Sequence, residues 1–366
     1  MSSQPNSARP RRSVGPQRVA VTRATSSVGS VLVRELATAG DRVIGLDEKV
    51  GPAGDVEYRL TSIMSPSVVS AISDVDALVH IAYDSDLESS LNESPSSRRD
   101  RLIREVQTLT TAAAAAGVSH LVVITSAMVY GAKEDNPVPL DEASPQLAED
   151  AEGIVADLVE VERVLDLARQ VHPGLQVTSV RPAALVGEGL DTMISRHFEA
   201  PRLLTLKGRA PAWQFCHVED LATGVSVVIR DDIPGVLGVG SVGTLSQAEV
   251  EEIASMRPVE MSASAATGAA ERLHRLGVIP LPATDLAYVS FPWAIAPTTL
   301  NQHGWYPAYD NATALSIMLE TVRGHHAVMS RRVERRDAAI GAAGAASAAV
   351  AVAATAALMR RRRKRA

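Results

Sequence analysis

The chain has 366 residues, 46% of them apolar and 21% charged, with a net charge of −6. That is enough for one large or two modest globular domains with ample core, and ordinary for a soluble protein. One cysteine, Cys216, excludes an internal disulfide framework and gives no metal-ligand spacing, which implies no metal site and a reducing, cytoplasmic setting. Residues 1–18 carry four arginines and no acid, and residues 331–366 carry ten Lys and Arg against two acids, so the body between them is acidic. An acidic body is a poor match for a nucleic-acid-binding domain, and only the tails suit an anionic surface.

Residues 1–16 are polar, with Pro and Arg and no apolar period, which predicts a disordered basic tail with no secretory leader. Regular alternation then begins. A strand at Arg18–Thr22 is followed by a loop, an amphipathic helix over 28–39 that stops at Gly40, and a second strand at Arg42–Asp47. Strands over 55–58, 77–81, 121–125 and 176–181 continue the series, with helices near 66–74, 99–116 and 157–169. Strands alternating with helices of this length predict an α/β fold, a Rossmann-like, doubly wound parallel sheet, over residues 17–187.

After Gly187 the pattern is mixed, with helices over 246–256 and 313–321. This predicts a small C-terminal, substrate-side subdomain over 188–326, capping the sheet's carboxyl edge. Residues 327–366 form an Ala-rich basic tail: 338–359 are uncharged, and six consecutive cations follow from Arg360 to Arg365. The uncharged stretch is long enough to span a bilayer. Alanine is weakly apolar, however, and the basic flank on either side opposes spanning from the cytoplasm. Three outcomes stay open: a tail anchor at 338–359, a helix lying on the cytoplasmic membrane, or a disordered tail.

Function is carried by motifs. Val19-Ala-Val-Thr22-Arg23-Ala-Thr-Ser26-Ser27-Val28-Gly29 lies between a strand and a helix, and Asp47 closes the next strand. Ile124-Thr-Ser126-Ala-Met-Val-Tyr130-Gly131 follows a buried strand, and Phe215-Cys-His217-Val-Glu-Asp220-Leu-Ala222 opens a later helix. Together these resemble the extended short-chain dehydrogenase/reductases, the NAD-dependent epimerase/dehydratase family, over about four-fifths of the chain. Residues 191–198 and 286–290 resemble a divergent, actinobacterial-type subgroup.

The resemblance implies NAD as cofactor, held by Thr22, Arg23, Ser26, Ser27, Val28, Gly29, Asp47, Ser62, Ile63, Ile81, Ala82 and Tyr83. The family's turn is Thr-Gly-x-x-Gly-x-x-Gly, and only its third glycine survives here, as Gly29. Arg23 and Ser26 stand at the other two. Asp47 matches the carboxylate that accepts from a ribose hydroxyl, which points to NAD rather than NADP; its plain alternative is a turn cap. Ser126 matches the serine that hydrogen-bonds substrate, its alternative being a strand-end cap.

The chemistry itself is missing. The family pairs a Tyr with a Lys four residues later, so that the phenol can pass a proton while nicotinamide passes a hydride. Here those places are Ile154 and Leu158. Glu105 replaces a helix Asn, and Trp213 replaces an Arg that binds the nucleotide-sugar phosphate, leaving Arg196, Arg202, Lys207 and Arg209 as basic candidates. Tyr130 with Lys133 is a conceivable substitute pair, and Asp157 and Glu160 read as a solvated helix face. Three functions follow: a degenerate nucleotide- or ligand-binding member, an active nucleotide-sugar epimerase or oxidoreductase with reassigned acid–base groups, or a membrane-associated adaptor acting through its tail. A small-molecule ligand such as a nucleotide-sugar, and a homodimer, are the partners implied.

Overall fold

The computed structural model describes residues 15–52, 56–82, 86–146, 148, 150–200, 202–276 and 281–323, and the backbone of 325–328 and 331–334. The chain opens with β1 (Arg18–Thr22), α1 (Ser27–Thr38), β2 (Arg42–Asp47) and β3 (Glu57–Leu60). It then turns through the short α2 (Val68–Ala71) into β4 (Ala77–Ile81), α3 (Leu87–Asn92), α4 (Pro95–Ala116) and β5 (His120–Ile124). Next come α5 (Gly153–Val171), β6 (Gln176–Pro182), β7 (Ala184–Val186), α6 (Met193–Glu199), β8 (Leu203–Leu206), β9 (Phe215–His217), α7 (Val218–Arg230) and β10 (Gly235–Val239). The last elements are α8 (Gln247–Ala254), β11 (Pro258–Met261), α9 (Ala263–Arg275), α10 (Thr298–Gln302), α11 (Asn311–Val322) and the antiparallel pair β12 (His325–Val328) and β13 (Arg331–Glu334).

Seven strands form one parallel sheet in the order β10-β6-β5-β4-β1-β2-β3. The chain winds outward from β1 through β2 and β3, then returns to β4 and winds the other way. The reversal leaves a crevice between β1 and β4 at the carboxyl edge, where ligands bind in folds of this kind. The doubly wound Rossmann-like sheet expected from the sequence is thus present. Its last strand, β10, and the helix before it come from beyond residue 187.

Alternation along each central strand builds two cores. Val19 and Val21 face the α1–α7 layer with Val79, Ile81, Val122 and Ile124, whereas Ala20, Leu78, Leu121 and Val123 face the α2–α4 layer. Both faces are covered, so these strands read as near-continuous apolar runs. The helices between them start and stop on local signals. Ser94 accepts from the Ser97 N–H ahead of Pro95 to begin α4, and Gly117 ends it at φ 76°.

β3 is shifted two residues from its expected position. It is a half-exposed edge strand whose apolar signal is weak, and its place is set by Tyr58 lying over Gly45 on β2. A Cβ on Gly45 would sit 2.6 Å from the Tyr58 ring. α9 was not legible in the sequence at all: it is alanine-rich, and Ala266 is its sole buried residue. Among the described residues no helix is long and apolar enough to cross a membrane. The candidate span 338–359 lies outside those residues.

Candidate functional site

The carboxyl edge of the sheet gathers most of the predicted residues. Thr22 ends β1, buried, with its Oγ1 2.9 Å from His80 Nδ1 and accepting from the Ile81 N–H. Burial, with Arg23 and Arg101 nearby, pulls the His80 imidazole down to about 3, so the ring is neutral. Ser26 takes the second-glycine place and caps α1, accepting from the Gly29 N–H at 3.0 Å. Ser27 Oγ donates to the Gly189 carbonyl, and Val28 is core. Gly29 has no alternative: a Cβ there would lie 2.0 Å from the Arg23 carbonyl oxygen.

Arg23 is the unusual member. It holds φ 51°, the left-handed conformation that glycine adopts at no steric cost. The backbone of the turn therefore keeps its glycine form with an arginine upon it. The side chain reaches from the α1 layer over the crevice to the α4 layer, where Nη2 donates to Glu105 Oε2 at 2.8 Å. Glu105 also receives Arg101 at 3.4 Å, and Arg101 is held in turn by Glu93 at 2.9 Å. Two departures from the expected motif, one on the turn and one on a helix 82 residues away, are thus partners.

Asp47, at the end of β2, is committed to the protein. Oδ2 accepts from the Thr25 amide and hydroxyl at 2.9 and 2.8 Å, and Oδ1 from the Glu48 and Lys49 amides. Burial opposes its charge, but those hydrogen bonds outweigh it and leave the carboxyl below its usual range. Asp47 thus ties the turn after β1 to the end of β2. Ser62 and Ile63 follow β3, Ile63 packing on the α2–α4 core. Ile81 and Ala82 end β4, buried, with the Ala82 N–H on the Ile124 carbonyl. Tyr83 lies outside the described residues.

The far side of the edge is built differently. Ser126 follows β5 and caps a short 3₁₀ turn, Ala127–Tyr130, its Oγ accepting from the Met128 N–H at 3.2 Å. It borders, with Met128, Ala184 and Thr192, a cavity of about 10 Å³, room for one water. Ile154 packs against the core from the first turn of α5, and Leu158 is fully buried in it. Tyr130 is also sealed: its hydroxyl donates to the Glu142 carbonyl, its ring lies under Arg181 at 4.6 Å, and burial pushes its pKa to about 12. Lys133 is exposed, so the Tyr130–Lys133 pair does not form a site.

Several charged residues hold structure rather than ligand. Asp157 is not on a solvated face; it is 1% exposed and receives Arg98 at 2.7 Å and Arg99 at 2.8 Å, tying α4 to α5. The surface expectation failed because helical spacing cannot show what a neighbouring helix brings. Glu162, one turn beyond Leu158, is fully buried and takes both Arg181 nitrogens, at 2.9 and 3.0 Å, and the Thr125 hydroxyl. Asp220 does not cap its helix: it accepts from the Ala308 and Tyr309 amides, whereas His217 caps α7 and stacks on Tyr309 at 3.8 Å.

At the phosphate-arginine place, Trp213 is buried and stacks with Phe215 and His197. Arg196 is held by both oxygens of Asp191, and Arg209 pairs with Glu134 beside the Phe291 ring. Arg202 and Lys207 are exposed. Sequence reading missed Asp285, buried on the 3₁₀ turn Ala283–Val289 that follows Pro282, a neighbour of Gly153 at the start of α5. Burial, with Glu152 nearby, lifts its carboxyl to about 8. No signal in the sequence marks it, because its neighbours come from another part of the chain. Among the described residues no group of three or more His, Cys, Asp or Glu could hold a metal.

Residues 19–240 match the sequence model of the NAD dependent epimerase/dehydratase family. The chain belongs to that family. An uncharacterised protein of Mycobacterium tuberculosis is 26% identical over 255 residues, covering 67% of each chain. Another from Sinorhizobium fredii is 24% identical over 337 residues, covering 84% of this chain and 78% of that one. Among solved structures, UDP-glucose 4-epimerase of Thermus thermophilus in complex with NAD aligns at TM-score 0.62 and 18% identity, covering 84% of this chain and 99% of that one. A dTDP-glucose 4,6-dehydratase of Streptomyces venezuelae, crystallised with NAD, aligns at 0.63 and 19% identity, covering 84% and 97%. At these identities the structural likeness speaks for the fold alone.

Proposed function

We propose that this chain is a ligand-binding member of the epimerase/dehydratase family that no longer transfers hydride. The observation that carries the reading is hydrocarbon at both acid–base positions: Ile154 and Leu158 are packed into the core. A positioned acid–base group is worth about 10²–10⁴ in rate, and neither is replaced by Tyr130, whose hydroxyl is buried on a backbone carbonyl. The residues around the turn also do not fit a dinucleotide as they stand. Arg23 and Glu105 meet over the crevice, and Asp47 spends both oxygens on the chain itself. On the β5 side the Ser126 hydroxyl caps the turn Ala127–Tyr130 and borders a cavity with room for one water.

The alternative, turnover with reassigned groups, has Asp285 in its favour, a carboxyl that stays protonated near neutral pH beside the first turn of α5. Both readings meet in one experiment. Full-length protein is incubated with NAD⁺ and UDP-glucose or UDP-galactose, and both NADH absorbance and the sugar isomer ratio are followed. We expect neither to change beyond the protein-free control. Epimerisation or NADH formation above that control, abolished by Asp285→Asn, would establish the alternative and end the first reading. Tail-dependent membrane attachment and homodimer formation are separate proposals, read by fractionation of a chain cut after residue 330 and by sedimentation.

A further inference from the structure

We infer that the Arg23–Glu105 ion pair is a plug across the switch-point crevice, and that the chain excludes dinucleotides by this contact while its turn backbone remains shaped to take one. The inference rests on the reading above, and it locates the exclusion in two named side chains.

Three observations carry it. First, the pair joins the two halves of the sheet where the strand order reverses: Arg23 follows β1, and Glu105 lies on the helix that follows β4. A pyrophosphate approaching the start of α1 would have to enter between them. Second, the turn retains its dinucleotide form. Arg23 sits at φ 51°, the Ser26 N–H bonds to the Arg23 carbonyl at 2.9 Å, and Gly29 still packs against that carbonyl. A non-glycine residue held left-handed is strained, and such strain persists where the surroundings impose it. Third, the charge balance is met from within. Glu105 supplies an anion to Arg23 and Arg101, both of which border the buried, neutral His80. The carboxylate thereby stands in for the anion that a bound pyrophosphate would bring.

Arg23→Gly removes the bulk and the cation while giving the turn the residue its dihedral favours. Glu105→Gln leaves the bulk but removes the carboxylate charge that Arg23 and Arg101 share, so that an incoming phosphate meets less repulsion. Full-length wild type, R23G and E105Q are titrated with NADH, following cofactor fluorescence and heat. Wild type is expected to show no saturation at 1 mM ligand, in the sense of a Kd weaker than about 10⁻³ M. R23G is expected to bind at least tenfold more tightly than wild type, with a smaller gain in E105Q. Arg23→Lys keeps a cation beside Glu105 and is expected to stay closed, which separates the plug from a general loosening of the fold.

Wild type binding NADH at micromolar concentration would overturn the plug outright. So would equal, weak binding by all variants whose circular dichroism matches wild type. The reading that the chain no longer transfers hydride fails on a different result, turnover by wild type, whereas NADH binding without turnover removes the plug alone, so the two can be told apart.

Discussion

The two sides of the sheet's carboxyl edge have departed from the family pattern by opposite means. On the β1 side, small uncharged positions have become an arginine and a glutamate that hold each other over the crevice. On the β5 side, hydrocarbon stands at the two acid–base places, Leu158 fully buried and Ile154 packed, partly buried, against the same core. The arginine of that pair keeps some exposure while Glu105 is buried, and an anion that reaches Arg23 can compete with the carboxylate for it. A leucine with no exposed surface is not displaced in this way: burying a side chain of that size stabilises the fold by about 1.5–3 kcal/mol and its removal leaves a cavity. One side can be opened, and the other has been rebuilt.

The sharpest way to break that contrast is to reinstate the amine. Leu158→Lys places an ammonium in the core within a turn of Glu162, whose oxygens already bind Arg181 and Thr125. We expect a loss of about 3–5 kcal/mol in urea unfolding, the range for an uncompensated buried charge. Pairing it with Ile154→Tyr is expected to recover little. A double variant as stable as wild type would mean the hydrocarbon is an overlay rather than a rebuilt core.

A middle-sized effect separates the two sides by pH. Asp285, near the rebuilt helix, has its carboxyl raised by burial to about 8, whereas Asp47, on the plugged side, is lowered by its hydrogen bonds. Between about pH 4 and 8 the folded chain keeps the Asp285 proton that the unfolded chain has lost. Stability from this group is therefore lost as pH rises, by about 1 kcal/mol between pH 7 and 8. Asp47 acts in the acid range instead, its contribution present above the unfolded value and lost as pH falls through the folded one. Thermal melts of wild type and Asp285→Asn at pH 6, 7 and 8 check this. Parallel curves would show that Asp285 is ionised in the fold.

The smallest expected effect lies on the plugged side. Arg23→Gly removes one of two cations from the buried Glu105, which keeps Arg101, and relieves a left-handed residue worth about 1–2 kcal/mol. Its unfolding free energy should stay within about 1 kcal/mol of wild type. A loss beyond about 2 kcal/mol would make Arg23 a structural residue and weaken the contrast.

What could be read from the chain alone follows from local physics. Alternating strands and helices point to a parallel doubly wound sheet, because a strand buried on both faces is mostly apolar and a crossover between parallel strands is usually a helix. The turn motif, the strand-end Ser126 and the Ile and Leu at 154 and 158 are likewise written in consecutive or closely spaced residues. Tertiary structure decided which charges meet. That Arg23 finds Glu105, that Asp157 is buried under Arg98 rather than solvated, and that Asp285 keeps its proton all depend on groups brought together from distant segments. Side-chain periodicity reports which face of an element is apolar. The fate of a charge depends on the dielectric and the partners around it, and these exist only once the layers have packed.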